Sequence, residues 1–160
     1  MPNNYFHLVP HIRAEGKYFD ISLNEVERQL RHSNKFKFEG ELVLDDDGEE
    51  ATIPVSLHIS STNGCTAWTA AITLHSKRID CIDWEKTYPS IEETKESGWH
   101  RHHWDVESQS CEKRKMPLPD MHEDMGLRDF LVRSFQFMEV LLNADDHGNY
   151  GLQFNQNVLN

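Results

Sequence analysis

The chain has 160 residues, 38% of them hydrophobic, which suits one domain, residues 1–160, around a single core. Its 16 lysines and arginines against 27 aspartates and glutamates give a formal net charge of -11, so nucleic acid is disfavoured as a partner. Three cysteines without Cys-x-x-Cys spacing argue against a disulfide framework or a zinc ribbon and favour a reducing compartment. Without a secretory signal or an apolar run of ~20 residues, we expect a cytoplasmic protein that does not cross a membrane.

The N-terminal half predicts a helix followed by strands. Ser22 is a candidate N-cap for a short helix from Leu23 to about His32. Apolar residues then alternate over 36–44 and over 53–59, which predicts a hairpin, and again over 67–75, which predicts a third strand. The segment Arg78–Trp84 is either a fourth strand or the continuation of the third.

The C-terminal half predicts loops and one long helix. Residues 85–97 carry many charges and little periodicity, so we expect an exposed loop there, and another at 107–116. From Leu127 to Leu142, apolar residues recur at spacings of three and four, which predicts a helix of about 16 residues. Residues 150–154 could add a short strand.

These elements together predict an α+β fold. An antiparallel meander of four to five strands would be covered on one face by the long C-terminal helix, Leu127–Leu142. The short N-terminal helix, Leu23–His32, would pack beside it.

The run Trp99–Asp105 is the candidate site. If it is a strand, His100 and His102 share one face, and their imidazoles can converge on one metal ion. Zinc or iron bound there could activate water or oxygen. Other ligands must come from elsewhere in the chain. The candidates, near in sequence or on neighbouring predicted strands, are Glu107, His122, Asp80, Asp83, His58 and His75.

The opposite face of the same run offers a metal-free alternative. Arg101, His103 and Asp105 would lie together there, with His103 as a general base oriented by Asp105 and Arg101 holding an anion. A structural interpretation stays open as well, in which half-buried imidazoles only form hydrogen bonds with backbone or water. No serine nucleophile motif, Gly-rich phosphate loop or His-Glu-x-x-His helix is present in the sequence.

Two family resemblances arise at these residues. His100-x-His102 with Glu107, followed by 117–122, resembles the two metal motifs of the cupins, but Arg114 and Pro119 stand where cupins keep glycines. The segments 78–80, 100–104 and 116–119 resemble an uncharacterised family of small bacterial and phage proteins, with its Arg-x-Asp, His-x-His-x-aromatic and Pro-Leu pattern. That resemblance implies a bacterial or phage setting and no residue roles.

Two classes of function follow. The first is a non-catalytic interaction or accessory protein whose acidic surface binds a basic protein partner, or which self-associates. The second is a metal-dependent hydrolase or nuclease using His100, His102 and a nearby carboxylate or His122. The sequence favours the first, because no basic groove for nucleic acid is visible in it.

Overall fold

The computed structural model describes residues 6–14, 16–46, 49–62, 67–122 and 124–142. In these ranges the chain forms one sheet of eight strands, ordered β7-β6-β5-β4-β3-β2-β1-β8, and three short helices. The elements in chain order are α1 Val9–Ala14, β1 Lys17–Phe19, α2 Leu23–Ser33, β2 Lys35–Asp46, β3 Glu49–Thr62, β4 Ala67–Leu74, β5 Lys77–Pro89, β6 Lys95–Asp105, β7 Ser110–Pro117, α3 Leu127–Phe137 and β8 Val140–Leu142.

The strands β2 to β7 form a continuous antiparallel meander. At one edge of this meander β1 pairs antiparallel with β2, and β8 pairs parallel with β1, with Lys17 opposite Val140. The turn between β4 and β5 is made by His75 and Ser76, both at positive φ (50° and 66°). Two such residues match the tight hairpin turns that suit twisted strands. The segment 67–84 is therefore two strands.

The core lies between one face of the sheet and the helices. Along β3, Ile53, Val55, Leu57 and Ile59 are at most 1% exposed. The helix α2 begins as predicted, because the Ser22 side chain accepts a hydrogen bond from the Glu25 backbone N–H at 3.1 Å.

The predicted fold class is wrong, because the chain is mostly β and its sheet exceeds four to five strands. Within the described residues the predicted helix Leu127–Leu142 is not formed as one element: α3 ends at Phe137, and Glu139 takes a left-handed φ of 57°. Val140 and Leu142 are then buried at a spacing of two, as members of β8. Val140 and Leu142 are apolar because they belong to a buried strand, although their spacing from the residues of α3 also fits the apolar face of a longer helix.

Both predicted C-terminal loops contain strands. The segment 85–97 holds the end of β5 and the start of β6, joined by a turn near Ser90, and the segment 107–116 holds most of β7. Charged residues are compatible with β7 because it is an edge strand, where lysines and other charges face solvent. The strand predicted at 150–154 lies outside the described residues. None of the described helices has the length and apolar character needed to cross a bilayer.

Candidate metal centre

Two adjacent strands, β5 and β6, position the site. The indole of Trp99 on β6 packs against Phe130 of α3, with ring centroids 5.1 Å apart. Because side chains alternate along a strand, His100 and His102 project from the opposite face, away from the helices. Asp83 on β5 is the register partner of His100. Glu85 follows two residues later, on the same face as Asp83.

The four side chains converge. The Nε2 atom of His100 is in ion-pair contact with Asp83 and lies 3.1 Å from a carboxylate oxygen of Glu85. The Nε2 atom of His102 lies 3.4 Å from each carboxylate oxygen of Asp83. One potential ligand atom from each residue lies within 4.8 Å of all the others. We call Asp83, Glu85, His100 and His102 the His–carboxylate cluster.

Backbone carbonyls orient both imidazoles. The Nδ1 atom of His100 lies 3.2 Å from the Gly98 carbonyl oxygen, and that of His102 lies 3.0 Å from the Cys111 carbonyl oxygen. A carbonyl can only accept, so each Nδ1 carries the hydrogen and donates it. In the neutral ring the Nε2 lone pair then points into the cluster, which is the arrangement of a metal-ligating histidine held by its second nitrogen.

The Nε2 atom of His100 is buried, and among the described residues it has no partner aligned for a hydrogen bond. The carboxylates of Asp83 and Glu85 are close to this atom, but close approach without hydrogen-bond alignment does not satisfy it. A metal ion bound among these atoms would satisfy Nε2 without requiring that alignment.

The cluster is buried on its imidazole side and open on its carboxylate side. The side chains of His100 and His102 are 0% and 3% exposed, whereas those of Asp83 and Glu85 are 17% and 36% exposed. Glu85 also forms an ion pair with Lys115 of β7. The carboxylates of Asp83 and Glu85 therefore lie between the buried imidazoles and solvent.

The electrostatics keep Asp83 ionised. Burial would raise the pKa of Asp83, but the adjacent imidazoles of His100 and His102, which attract the carboxylate in their protonated form, outweigh burial and lower this pKa well below its ordinary value. By contrast, burial and the nearby Asp83 raise the pKa of the Cys81 thiol, so this neighbour stays protonated. The donor set is consequently imidazole nitrogen and carboxylate oxygen.

Tyr88 packs against His100 of the cluster. Its ring centroid lies 4.1 Å from that of His100, and its hydroxyl is buried without a hydrogen-bond partner among the described residues. Burial, together with the carboxylates of Glu96 and Glu85, raises the pKa of Tyr88 to about 12. Its phenol is therefore neutral at physiological pH.

The structure brings together only some of the sequence-derived candidates. Asp83 joins His100 and His102, but Glu107 and His122 are exposed and outside the cluster. The backbone carbonyl of His122 instead accepts the Trp99 indole N–H at 2.7 Å. Glu85 was missed because residues 85–97 were interpreted as a loop. An Asp-x-Glu spacing that matches the His-x-His spacing is the signal that could have identified it.

The three residues proposed for the metal-free alternative have other contacts. Arg101 donates two hydrogen bonds to Asp80, at 2.9 and 2.7 Å. Asp105 accepts hydrogen bonds from the backbone N–H and hydroxyl of Ser108. The register between β6 and β7 shifts between His103 and Asp105, because β7 advances four residues, from Arg114 to Ser110, where β6 advances two.

In comparisons with known proteins, no family model, curated sequence or solved structure matches this chain.

Proposed function

We propose that this protein binds one divalent transition-metal ion in the His–carboxylate cluster and uses it for hydrolysis. The observation that carries the proposal is the pair of imidazoles in the cluster. Both donate Nδ1–H to a backbone carbonyl and direct Nε2 at the carboxylate of Asp83, and Glu85 lies beside the Nε2 atom of His100. Imidazole nitrogens and carboxylate oxygens without a thiolate suit Zn²⁺, Fe²⁺ or Mn²⁺.

The exposure of the carboxylates favours a catalytic site over a structural one. Structural zinc sites are closed by four protein ligands, whereas catalytic sites keep a position for water or substrate. Glu85 is the most exposed member of the cluster, and its ion pair with Lys115 fixes its direction. A divalent ion held by Asp83, His100 and His102 would leave a position for water and would lower the pKa of that water to about 7. Glu85 would then be the residue that accepts the proton.

The metal proposal is tested by elemental analysis and by titration of apoprotein with Zn²⁺ and Mn²⁺. We expect one equivalent per chain. The near-isosteric variants Asp83→Asn and His102→Gln should each lower affinity at least about tenfold, since even second-shell changes cost that much. His103→Gln, one residue along β6, is the matched control and should bind normally. Full metal binding by both cluster variants, with native circular dichroism, would contradict the proposal.

The hydrolysis proposal needs its own assay. Metal-loaded protein is compared with apoprotein and with Asp83→Asn on p-nitrophenyl phosphate and p-nitrophenyl acetate. We expect release of p-nitrophenol that requires both the metal and Asp83. Binding of one metal equivalent without release of p-nitrophenol would support the metal site but contradict the hydrolase function.

An interaction or accessory role in a bacterial or phage setting is the second candidate function. The net charge of -11 is the feature that favours it, because it suits a basic protein partner. A cytoplasmic location also stays a prediction, supported by the buried thiol of Cys81, which is not in a disulfide. Release of a co-purified basic protein by high salt, from a chain that carries no metal, would favour this role.

A further inference from the structure

A groove of ≈ 690 Å³ lies on the sheet face opposite the helices, across β2, β3, β4 and the start of β5. His58 is half-buried on its floor, and its Nε2 lies 3.3 Å from the Thr73 hydroxyl. Lys37 is directly opposite His58 on β2, and Arg78 is opposite Thr73 on β5. Lys35, two residues before Lys37 on β2, also lines the groove.

The groove has the opposite charge from the chain as a whole. Among the described residues, its lining includes Lys35, Lys37 and Arg78 together with several Ser and Thr hydroxyls, and no carboxylate. Within the described part of the chain, neither Lys35 nor Arg78 is in an ion pair. Lys37 approaches Glu39 at 3.6 Å, but both side chains are more than 60% exposed, so that pair is weak. In a protein of net charge -11 this is a local positive site.

The charges of Lys37 and Arg78 also affect His58, the residue at the floor of the groove. Burial, with the charges of Lys37 and Arg78, lowers the pKa of His58, although Glu39 partly opposes this. His58 is therefore favoured as a neutral hydrogen-bonding group between two cations.

We propose that this groove binds a small organic phosphate. An arginine, two lysines and neighbouring hydroxyls match the charge and the hydrogen-bond acceptors of a phosphate group. The volume is that of a small-molecule site. Three cations in an acidic protein are too few to hold a polyanion against the repulsion of the remaining surface, which favours a monoester over nucleic acid.

The groove is a neighbour of the His–carboxylate cluster but separate from it. Ala71 in the groove is the register partner of Cys81, which precedes Asp83 by two residues on the same strand face. Strand geometry places Ala71 within about 10 Å of Asp83. A phosphate ester could thus extend from the groove to the cluster, but its binding does not depend on a metal.

The test is calorimetric titration of EDTA-dialysed protein with phenyl phosphate, inorganic phosphate and benzenesulfonate, with the His58 NMR signals as a local reporter. We expect phenyl phosphate to bind more tightly than benzenesulfonate and to shift the His58 resonances. Arg78→Gln and Lys37→Gln should each weaken binding about tenfold, the loss expected for one charged hydrogen bond. Lys86→Gln, an exposed lysine of β5 outside the groove, is the matched control.

Three results would overturn the proposal. Binding that appears only after metal is added, or that is lost in Asp83→Asn and survives in Arg78→Gln, would place the anion on the cluster. Equal weakening by Lys86→Gln would indicate unspecific attraction. Tighter binding of a single-stranded oligonucleotide than of phenyl phosphate would identify the groove as a nucleic-acid surface.

Discussion

The guanidinium of Arg101 and the carboxylate of Asp80 form a bidentate ion pair across β5 and β6, with Asp80 fully buried. Both residues project toward the helices, on the face opposite the His–carboxylate cluster. Burial opposes ionisation of Arg101, but Asp80 outweighs it and raises the pKa of Arg101. The ion pair therefore joins β5 and β6 on the sheet face opposite the His–carboxylate cluster.

Removing one partner of this pair should destabilise the fold strongly. We expect Asp80→Asn to lower the free energy of unfolding by about 3–5 kcal/mol, because it leaves a buried charge without its partner. The measurement is urea unfolding followed by circular dichroism. The double variant Asp80→Leu/Arg101→Met should recover much of the loss. A single variant as stable as the natural chain would show that the pair does not contribute.

Gly40 on β2 should not tolerate a side chain. A Cβ atom there would lie 2.5 Å from the backbone oxygen of Tyr18 and would clash with the ring of Phe19. We expect Gly40→Ala to cost about 1–3 kcal/mol in unfolding free energy, the usual cost of overpacking, by displacing β1. Gly126→Ala is the control, since a Cβ there meets nothing within 4 Å. Equal effects of the two variants would contradict the close approach of β1 to β2.

Metal binding should stabilise the folded chain. An ion that binds the folded state alone adds about 2.7 kcal/mol when its concentration is 100 times its Kd. We expect Zn²⁺ to raise the urea midpoint of the natural chain and of His103→Gln, and to leave that of Asp83→Asn nearly unchanged. A Zn²⁺ effect of equal size in Asp83→Asn would indicate binding elsewhere.

Acid should act on stability through His58. Because folding lowers the pKa of His58, the unfolded chain takes up this proton more readily. His58 therefore costs no stability well above its usual pKa of about 6.5, and its cost grows as pH falls below that value. We expect Lys37→Gln to raise the NMR titration midpoint of His58 and to reduce the stability loss on acidification. Lys86→Gln should leave both unchanged, and a midpoint insensitive to Lys37 would refute the assigned cause.

Local patterns sufficed for part of the fold and part of the site. The N-cap at Ser22 and the alternation along β2, β3 and β4 specify their own elements, because caps and strand faces depend on neighbours in sequence. The same alternation placed His100 and His102 on one face and identified Asp83 as a neighbouring-strand candidate. These inferences needed only the geometry of an extended chain.

Long-range pairing decided what the local patterns could not. Val140–Leu142 fits a helical stripe in isolation, and only pairing with β1, more than a hundred residues earlier, makes it a strand. Likewise, the sequences of β7 and of the end of β5 resemble charged loops. These segments are strands because their backbone groups form hydrogen bonds with the neighbouring strands. The pairing of β5 with β6 places Glu85 in the cluster, whereas Glu107 and His122 lie outside it. The amino-acid sequence alone thus determined that two histidines share one face of a strand. The carboxylates that join these histidines depended on strand register, because hydrogen bonds between strands join residues that are distant in sequence.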